Sequence, residues 1–517
     1  MDQKNKITIM LMALATQSFN AQAQPMMPDT PTAAPQNAVT RNGTENNTYN
    51  LNFADAHYTS KTMTLGGQTI AFRAYEDIVY VQHPVDAKYE RMNIYIPEAY
   101  FKGKTIGRFT AKTAPIFMPN AIGGYMPSEP DSPSVARDGR SPNAAFVALS
   151  KGYVVATPGA RGRTTQDTKG QYTGKAPAAI VDLKAAVRYL RHNDAVMFGN
   201  AEKIISNGTS AGGALSALLG ASGNNADYEP YLNALGAAKA RDHVFAVSAY
   251  CPITNLEYAD IAYEWQFNGF NAYQKMIMPK MIDFHAERKT ETGTLNARQI
   301  ETANALKTLF PAYLNHLKLT ANGKALTLDA QGNGSFKTFV KSHLIASAQV
   351  ALNSGQDLST LSWVLIKNKK VIDIDYNGYI QANVRMKTPP AFDALDLSSG
   401  ENDLFGAADT QAQHFTAFGM SNSTAGGTLA SPAMLNMMNA MHYLNAQTPA
   451  EKNTISKNWR IRHGTADRDT SLAIPVILAT TLKNQGKSVD FAMPWNVPHS
   501  GDYDLDELFT WAEKISR

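Results

Sequence analysis

A single cysteine, Cys251, stands in a chain of 517 residues. That count excludes an internal disulfide in any compartment, so stability has to come from packing. Charge is also sparse: Asp, Glu, Lys and Arg make up 18% of the chain, the formal net charge is only +4, and no run of five or six like charges occurs. This excludes the electrostatic footprint of a nucleic-acid binder or a polybasic membrane binder. Beyond the first residues no stretch is long and apolar enough to span a bilayer. No internal repeat is visible, which argues against a solenoid or propeller. What remains is a chain that is 44% hydrophobic, within the usual range for a globular protein and large enough to exclude water from a site.

The first residues have the layout of a secretory signal. Lys4 and Lys6 precede the apolar stretch "ITIMLMALA", and Ala21 and Ala23 supply small residues at −3 and −1 of a cleavage point before Gln24. Residues 1–23 are therefore expected to be removed, leaving an exported protein in the periplasm or outside the cell. Residues 24–55 follow as a flexible arm, a tether or loosely docked; from Gln24 to about Asn50 it is rich in Pro, Thr, Asn and Ala, a composition too poor in large apolar side chains to order itself.

Alternating β-rich and helical runs begin after the arm. "MNIYIPEAY" and "TAPIFMPN" read as strands, "AAFVALSKG" as a helix and "YVVATPG" as a strand. "PAAIVDLKAAVRYLRHN" (helix), "KIISNG" (strand), "AGGALSALLGA" (helix) and "HVFAVSAYCPI" (strand) continue the rhythm. Such alternation implies βαβ units and a mainly parallel sheet. Residues 256–395 interrupt it with long amphipathic helices ("NARQIETANALKTLFPAYLNHLK", "GSFKTFVKSHLIASAQVALN") and a hairpin around "WVLIKNKKVIDIDY". It resumes with one helix over "SPAMLNMMNAMHYL", then "KNWRIRHGTAD", "SLAIPVILATTLKNQG", "SVDFAMPWN" and "DLDELFTWAEKI". The reading is an α/β domain in two parts, 56–255 and 396–517, split by a mostly helical lid.

The chemistry-bearing motif is Gly208-Thr209-Ser210-Ala211-Gly212, placed between an apolar strand and a helix of small residues. A nucleophile elbow needs this: the strand-to-helix turn is so tight that neighbouring side chains would clash. Downstream, "RHGTADRD" sets Asp467 after one strand and "PWNVPHSGDYD" sets His499 after the next. Ser, Asp, His is the chain order of an α/β-hydrolase triad. In it His499 would take the Ser210 proton and Asp467 would hold the imidazole tautomer. The oxyanion calls for two backbone donors, the Ala211 amide and one from "PNAIGGYMP", with Gly124 ahead of Gly123. Other candidates read as structural. His463 suits hydrogen bonding at a strand end, His192 caps a helix, and Cys251 is a packed thiol. Asp467 and Asp469 lack an adjoining His or Cys cluster, so no metal site is expected.

Together, "NGTSAGGALSALLGASGN", "GGYMP", "KTPPAFDALDLSSGENDLFG", "RHGTADRDTS" and "PWNVPHSGDYD" resemble bacterial tannases, esterases that release gallic acid from galloyl esters. The resemblance covers most of the chain after about residue 60 and is faint in the lid helices. It implies an α/β-hydrolase with a large lid and no cofactor. It also implies the triad Ser210, Asp467 and His499, a small-molecule galloyl ester as substrate, and three side chains that read the galloyl hydroxyls, Lys387, Glu401 and Asp469. Two carboxylates and an ammonium can saturate phenols that both donate and accept. The alternative is that Lys387 and Glu401 form a surface ion pair at the end of the lid. Other readings of the whole are a feruloyl or other aromatic-acid esterase, a serine peptidase of the same fold, or a hydrolase-like binding protein. The intact triad argues against the last.

Overall fold

Runs of buried β-branched and aromatic residues, too short for helices, form the centre of a sheet of nine strands. In the computed structural model, which describes residues 38–39, 48–136, 139–277, 289–445 and 448–517, these strands are β1 (Thr59–Leu65), β2 (Gln68–Val79), β3 (Arg91–Pro97), β4 (Pro115–Pro119), β5 (Val154–Pro158), β6 (Asn200–Thr209), β7 (Ala246–Tyr250), β8 (Asn458–Arg462) and β9 (Ser488–Ala492). Their order across the sheet is β9-β8-β7-β6-β4-β5-β3-β2-β1. The five pairings from β5 to β9 are parallel, and the three that join β1, β2, β3 and β5 are antiparallel. The mainly parallel α/β sheet is as expected.

The antiparallel end is an addition that the sequence pattern hid. β1 reads "TSKTMTL" and is exposed along most of its length, so no buried face marks it. Its pairing with β2 is set by Gly66 and Gly67, both at positive φ, the backbone that a two-residue hairpin turn requires.

Central strands buried on both faces need helices over them. These are α1 (Ala144–Ser150), α2 (Ala178–His192) and α3 (Ala211–Ala221) before the insertion, and α7 (Ala473–Asn484) and α8 (Leu505–Ile515) after it, with α4 (Ala259–Phe267), α5 (Ala297–His316) and α6 (Ser335–Asn353) between β7 and β8. Helix α2 is buried from Ala178 to Leu190, its charges included. Each is paired: Asp182 with Arg161 at 2.7 Å, Lys184 and Arg188 with Asp242 at 2.9 and 2.7 Å. Breaking one such pair leaves an uncompensated buried charge, at a cost of roughly 3–5 kcal/mol.

The hairpin expected around residues 363–376 forms, Val364–Lys367 against Lys370–Ile374. A second hairpin, Ala272–Ile277 against Lys289–Thr294, was not foreseen. The single helix expected over 431–444 is two, Pro432–Met437 and Ala440–Leu444. Asn439 lies between them in extended conformation, and its side chain accepts from the Met441 amide. An asparagine competes for the backbone in this way and restarts a helix rather than continuing it. The expected signal segment, 1–23, lies outside the described residues, as does most of the arm. Residues 48–55 pack on the domain: Tyr49 and Phe53 are buried, and the Asn193 side chain accepts from the Phe53 amide and donates to the Leu51 carbonyl.

Helix α3 approaches the sheet most closely at Gly220, where an added Cβ would lie 2.3 Å from Val247 Cγ2 and 2.9 Å from Trp459 Cη2. Gly220→Ala is therefore expected to cost about 1–3 kcal/mol by overpacking. The readout is a lower melting temperature with unchanged kcat per folded molecule. An unchanged melting temperature would contradict the contact.

Candidate active site

The site begins with a turn that side chains would block. Ser210 joins β6 to α3 at φ +60°, ψ −123°, a conformation that costs a non-glycine residue about 1–3 kcal/mol and persists only when its surroundings enforce it. Glycines provide that room. A Cβ on Gly208 would sit 2.3 Å from the Gly212 carbonyl oxygen, one on Gly212 2.4 Å from Asn120 Oδ1, and one on Gly213 2.4 Å from the Tyr250 carbonyl oxygen. The Ser210 amide donates to the Tyr250 carbonyl at 2.9 Å. The turn thus lifts the Ser210 hydroxyl out of the sheet while β7 holds its backbone. Ala211, the first residue of α3, has an amide that helix geometry leaves without an intrahelical acceptor.

The loop after β4 lies against this turn. Asn120 Nδ2 donates to the Asn207 and Gly212 carbonyls and to Ser216 Oγ, and the Gly212 amide donates to the Ile122 carbonyl at 2.9 Å. Beyond it, Gly124 and Tyr125 both have positive φ, and the Met126 amide donates to the Gly123 carbonyl at 3.0 Å. That is a tight turn with two left-handed central residues. It places Gly124, the preferred second donor, at an exposed tip beside the elbow.

Asp467 and His499 follow β8 and β9. His499 Nδ1 bonds Asp467 Oδ2 at 2.8 Å, and the other Asp467 oxygen accepts the Asp469 amide at 2.9 Å. Asp467 is buried. Burial alone would raise its carboxyl, but the charges of His499 and His463 hold it well below the usual carboxylate range. For His499, burial would lower the imidazole, yet the Asp467 and Asp469 carboxylates raise it well above its ordinary value. Among the described residues no hydrogen bond joins Ser210 to His499, whose bond is to Asp467. Catalytic hydrogen bonds are often long in unliganded enzymes.

Lys387 and Asp469 reach the same place from different elements. Lys387 Nζ lies 3.3 Å from Asp469 Oδ1 and 3.8 Å from the centre of the Phe392 ring, and Asp469 Oδ2 is 3.5 Å from His499 Nδ1. The Lys387–Glu401 ion pair considered above is thus replaced by a Lys387–Asp469 pair. Glu401 lies in the first turn of the short helix Gly400–Leu404, and its charge adds to burial in raising the nearby Tyr125 phenol.

Helix α4 sets these positions, and its role was not read from the sequence. Asp260, Tyr263 and Glu264 recur at helical spacing, so one face presents all three. Asp260 accepts the Phe392 and Asp393 amides. Tyr263 Oη accepts the Met386 and Lys387 amides and donates to the Arg468 carbonyl. Glu264 pairs with the fully buried Arg385, whose Nε donates to the Lys387 carbonyl at 2.8 Å. The polar residues of an apolar helix, "ADIAYEWQF", were the available signal, since buried polar groups must be partnered.

The remaining candidates sort out by contact. Cys251 is fully buried just past β7; its thiol donates to the Ser500 carbonyl at 3.2 Å and is pushed up to about 11, first by burial and then by Asp467. It is a packed thiol. Among the described residues His463 makes no hydrogen bond through either ring nitrogen, contrary to expectation; Nδ1 stands 3.5 Å from Asp467 Oδ2 and burial lowers its basicity. His192 is exposed in the last turn of α2, and the cap itself is Asn193. The fold also gathers metal-capable groups that are far apart in sequence, Cys251, His463 and Asp467 in one triple and Asp467, Asp469 and His499 in another. Both share Asp467, whose oxygens are already bonded to His499 and the Asp469 amide.

The BD-FAE family matches residues 135–297. No curated protein matches the chain. Among solved structures, the tannase of Fusobacterium nucleatum is 53% identical, with 91% of this chain and 100% of that one aligned at a TM-score of 0.87. Tannin acyl hydrolase from Lactobacillus plantarum is 47% identical over 90% and 99% of the two chains, TM-score 0.85. A tannin acyl hydrolase in complex with ethyl gallate is likewise 47% identical, over 90% and 99%, TM-score 0.84. At such identity over nearly the whole of both chains, this chain belongs to the tannase family.

Proposed function

We propose that the protein hydrolyses galloyl esters, releasing gallic acid, with Ser210 as nucleophile. The observation that carries the reading is the strained Ser210 elbow at the end of β6 together with an Asp467–His499 pair bonded at 2.8 Å, in a chain similar to a tannin acyl hydrolase in complex with ethyl gallate. His499 takes the Ser210 proton as Oγ attacks the ester carbonyl, and Asp467 stabilises the imidazolium so formed. The Ala211 and Gly124 amides hold the oxyanion, a contribution of about 3–4 kcal/mol for one well-placed donor. Collapse returns the proton from His499 to the leaving alcohol and leaves a galloyl ester on Ser210. Water activated by the same histidine then frees gallic acid. No step calls for a metal or an organic cofactor.

Selectivity in this reading comes from Lys387, Glu401 and Asp469 meeting the ring hydroxyls. The resting Lys387–Asp469 pair exchanges its mutual contact for bonds to phenols. The helical insertion between β7 and β8 serves as the lid, and residues 1–23 direct export to the periplasm or the medium. A substrate lacking the hydroxyls would leave these polar groups unpaired, a penalty of up to about 10⁴-fold in kcat/KM, whereas pocket size alone discriminates only about 10- to 200-fold per methylene.

Three outcomes are expected. Ser210→Ala loses activity on every ester by about 10⁴-fold or more while remaining folded; a folded variant with most of its activity would remove the nucleophile assignment. Methyl gallate and methyl protocatechuate are cleaved well, methyl 4-hydroxybenzoate poorly and methyl benzoate barely, and Glu401→Ala and Asp469→Ala flatten the ranking through loss of rate on gallate. Equal kcat/KM for methyl benzoate and methyl gallate, or faster cleavage of methyl ferulate, would instead indicate a general aromatic or feruloyl esterase. The third concerns pH. The base must be neutral to act, and the carboxylates of Asp467 and Asp469 raise His499 while burial, His463 and the uncharged Cys251 thiol surround it. The acid limb of kcat/KM therefore lies above the ordinary histidine value of about 6.5. Asp469→Asn removes one raising charge and moves the limb to lower pH, read on 4-nitrophenyl acetate to avoid the galloyl contacts. A limb that stays put would contradict the electrostatic link.

A further inference from the structure

Arg163, in the loop after β5, touches both halves of the site without belonging to either. Its Nε donates to the Gly124 carbonyl at 2.9 Å and its own amide donates to the Tyr125 carbonyl at 2.8 Å. One end of its guanidinium, Nη1, pairs with Asp403. Asp403 lies two residues beyond Glu401 on the helix Gly400–Leu404. That helix leaves room for the arginine at its first residue, since a Cβ on Gly400 would lie 3.2 Å from Arg163 Cζ. The Arg163 side chain is only 13% exposed and that of Asp403 12%, so the pair is well shielded from solvent. The other Asp403 oxygen takes Lys175, which also donates to the Gln411 carbonyl. Lys175 thus anchors the recognition helix alone, whereas Arg163 anchors the helix and the turn at Gly124 together.

Resting on the reading of Gly124 as oxyanion donor and Glu401 as a galloyl contact, we infer that Arg163 is a positioning residue that fixes the two relative to each other. The Gly123–Met126 turn has two left-handed residues, one of them the non-glycine Tyr125. Such a turn needs external bonds to hold it. Arg163 supplies one by occupying the Gly124 carbonyl, which fixes the Gly124–Tyr125 peptide plane, while the Met126 amide on the Gly123 carbonyl holds the plane that carries the Gly124 N–H. The guanidinium is planar and presents donors in a fixed fork, so it serves a carbonyl and a carboxylate at once. A lysine in its place is a single point donor, held by charge at the Asp403 carboxylate, and leaves the neutral Gly124 carbonyl without its bond.

Arg163→Lys and Lys175→Met separate the two duties, since the first keeps a charge at Asp403 but releases the Gly124 carbonyl and the second loosens Asp403 alone. Kinetics on methyl gallate and 4-nitrophenyl acetate, with melting temperatures, give the readout. Arg163→Lys is expected to lower kcat on both esters by about 10- to 100-fold, the scale of a misplacement of about 1 Å in a catalytic group. Lys175→Met raises KM for methyl gallate and leaves kcat on the acetate within about twofold of the unmodified enzyme. Millimolar guanidinium added to Arg163→Ala restores part of kcat if the variant is folded. Unchanged kcat on the acetate in folded Arg163→Lys, or equal kcat losses in Arg163→Lys and Lys175→Met, would overturn the inference. Ser210→Ala run alongside keeps it apart from the underlying reading: if that variant stays active the nucleophile is wrong, whereas a Ser210-dependent enzyme indifferent to Arg163 loses only the clamp.

Discussion

A backbone turn that almost no side chain tolerates is the constraint from which the rest of the site follows. Ser210 stands at φ +60° because the chain must change from strand to helix within one residue, and the elements on either side press so close that Gly208, Gly212 and Gly213 have no room for a Cβ. The strain, about 1–3 kcal/mol, is held by the Ser210 amide bonded to β7 and the Gly212 amide bonded to the loop after β4. Because β7 and β4 flank β6 in the sheet, those two bonds hold the elbow from both sides.

Charge is handled by the same logic of local support. Asp467 is buried beside two imidazoles and stays ionised because they outweigh its burial. Lys387 and Asp469 are only partly covered, with side chains 21% and 22% exposed, so their mutual pairing is weak. The firmly buried charges are placed one layer back. Arg385 and Glu264 are fully buried under Lys387, and α4 spends its polar residues on the backbone that carries Lys387, Phe392 and Arg468. The partly covered pair stays exchangeable while its supports do not.

How much of this could be read from the sequence follows from which contacts are local. The elbow, the order Ser210, Asp467, His499 and the parallel centre were legible because each leaves a short pattern of small residues, turns or buried β-runs. The edge hairpin β1–β2 was not, since an exposed strand carries no apolar face. Asn439 split one expected helix by capping, a choice that depends on burial around it. Arg163 and Asp403, 240 residues apart, leave no local trace, and neither does the support that α4 gives Lys387. His463 looked like a hydrogen-bonding residue by position, yet the fold packs both its nitrogens away from partners.

The central claim is that Ser210 carries the acyl group between the two half-reactions. Rapid-quench intact-mass spectrometry of the enzyme mixed with excess methyl gallate, followed by peptide mapping, tests it most directly. The expected result is a transient mass increase of one galloyl group located on the peptide that contains Ser210, forming before steady state and absent from Ser210→Ala. A galloyl adduct on any other residue, or turnover without a covalent adduct under conditions where release is slower than acylation, would contradict it.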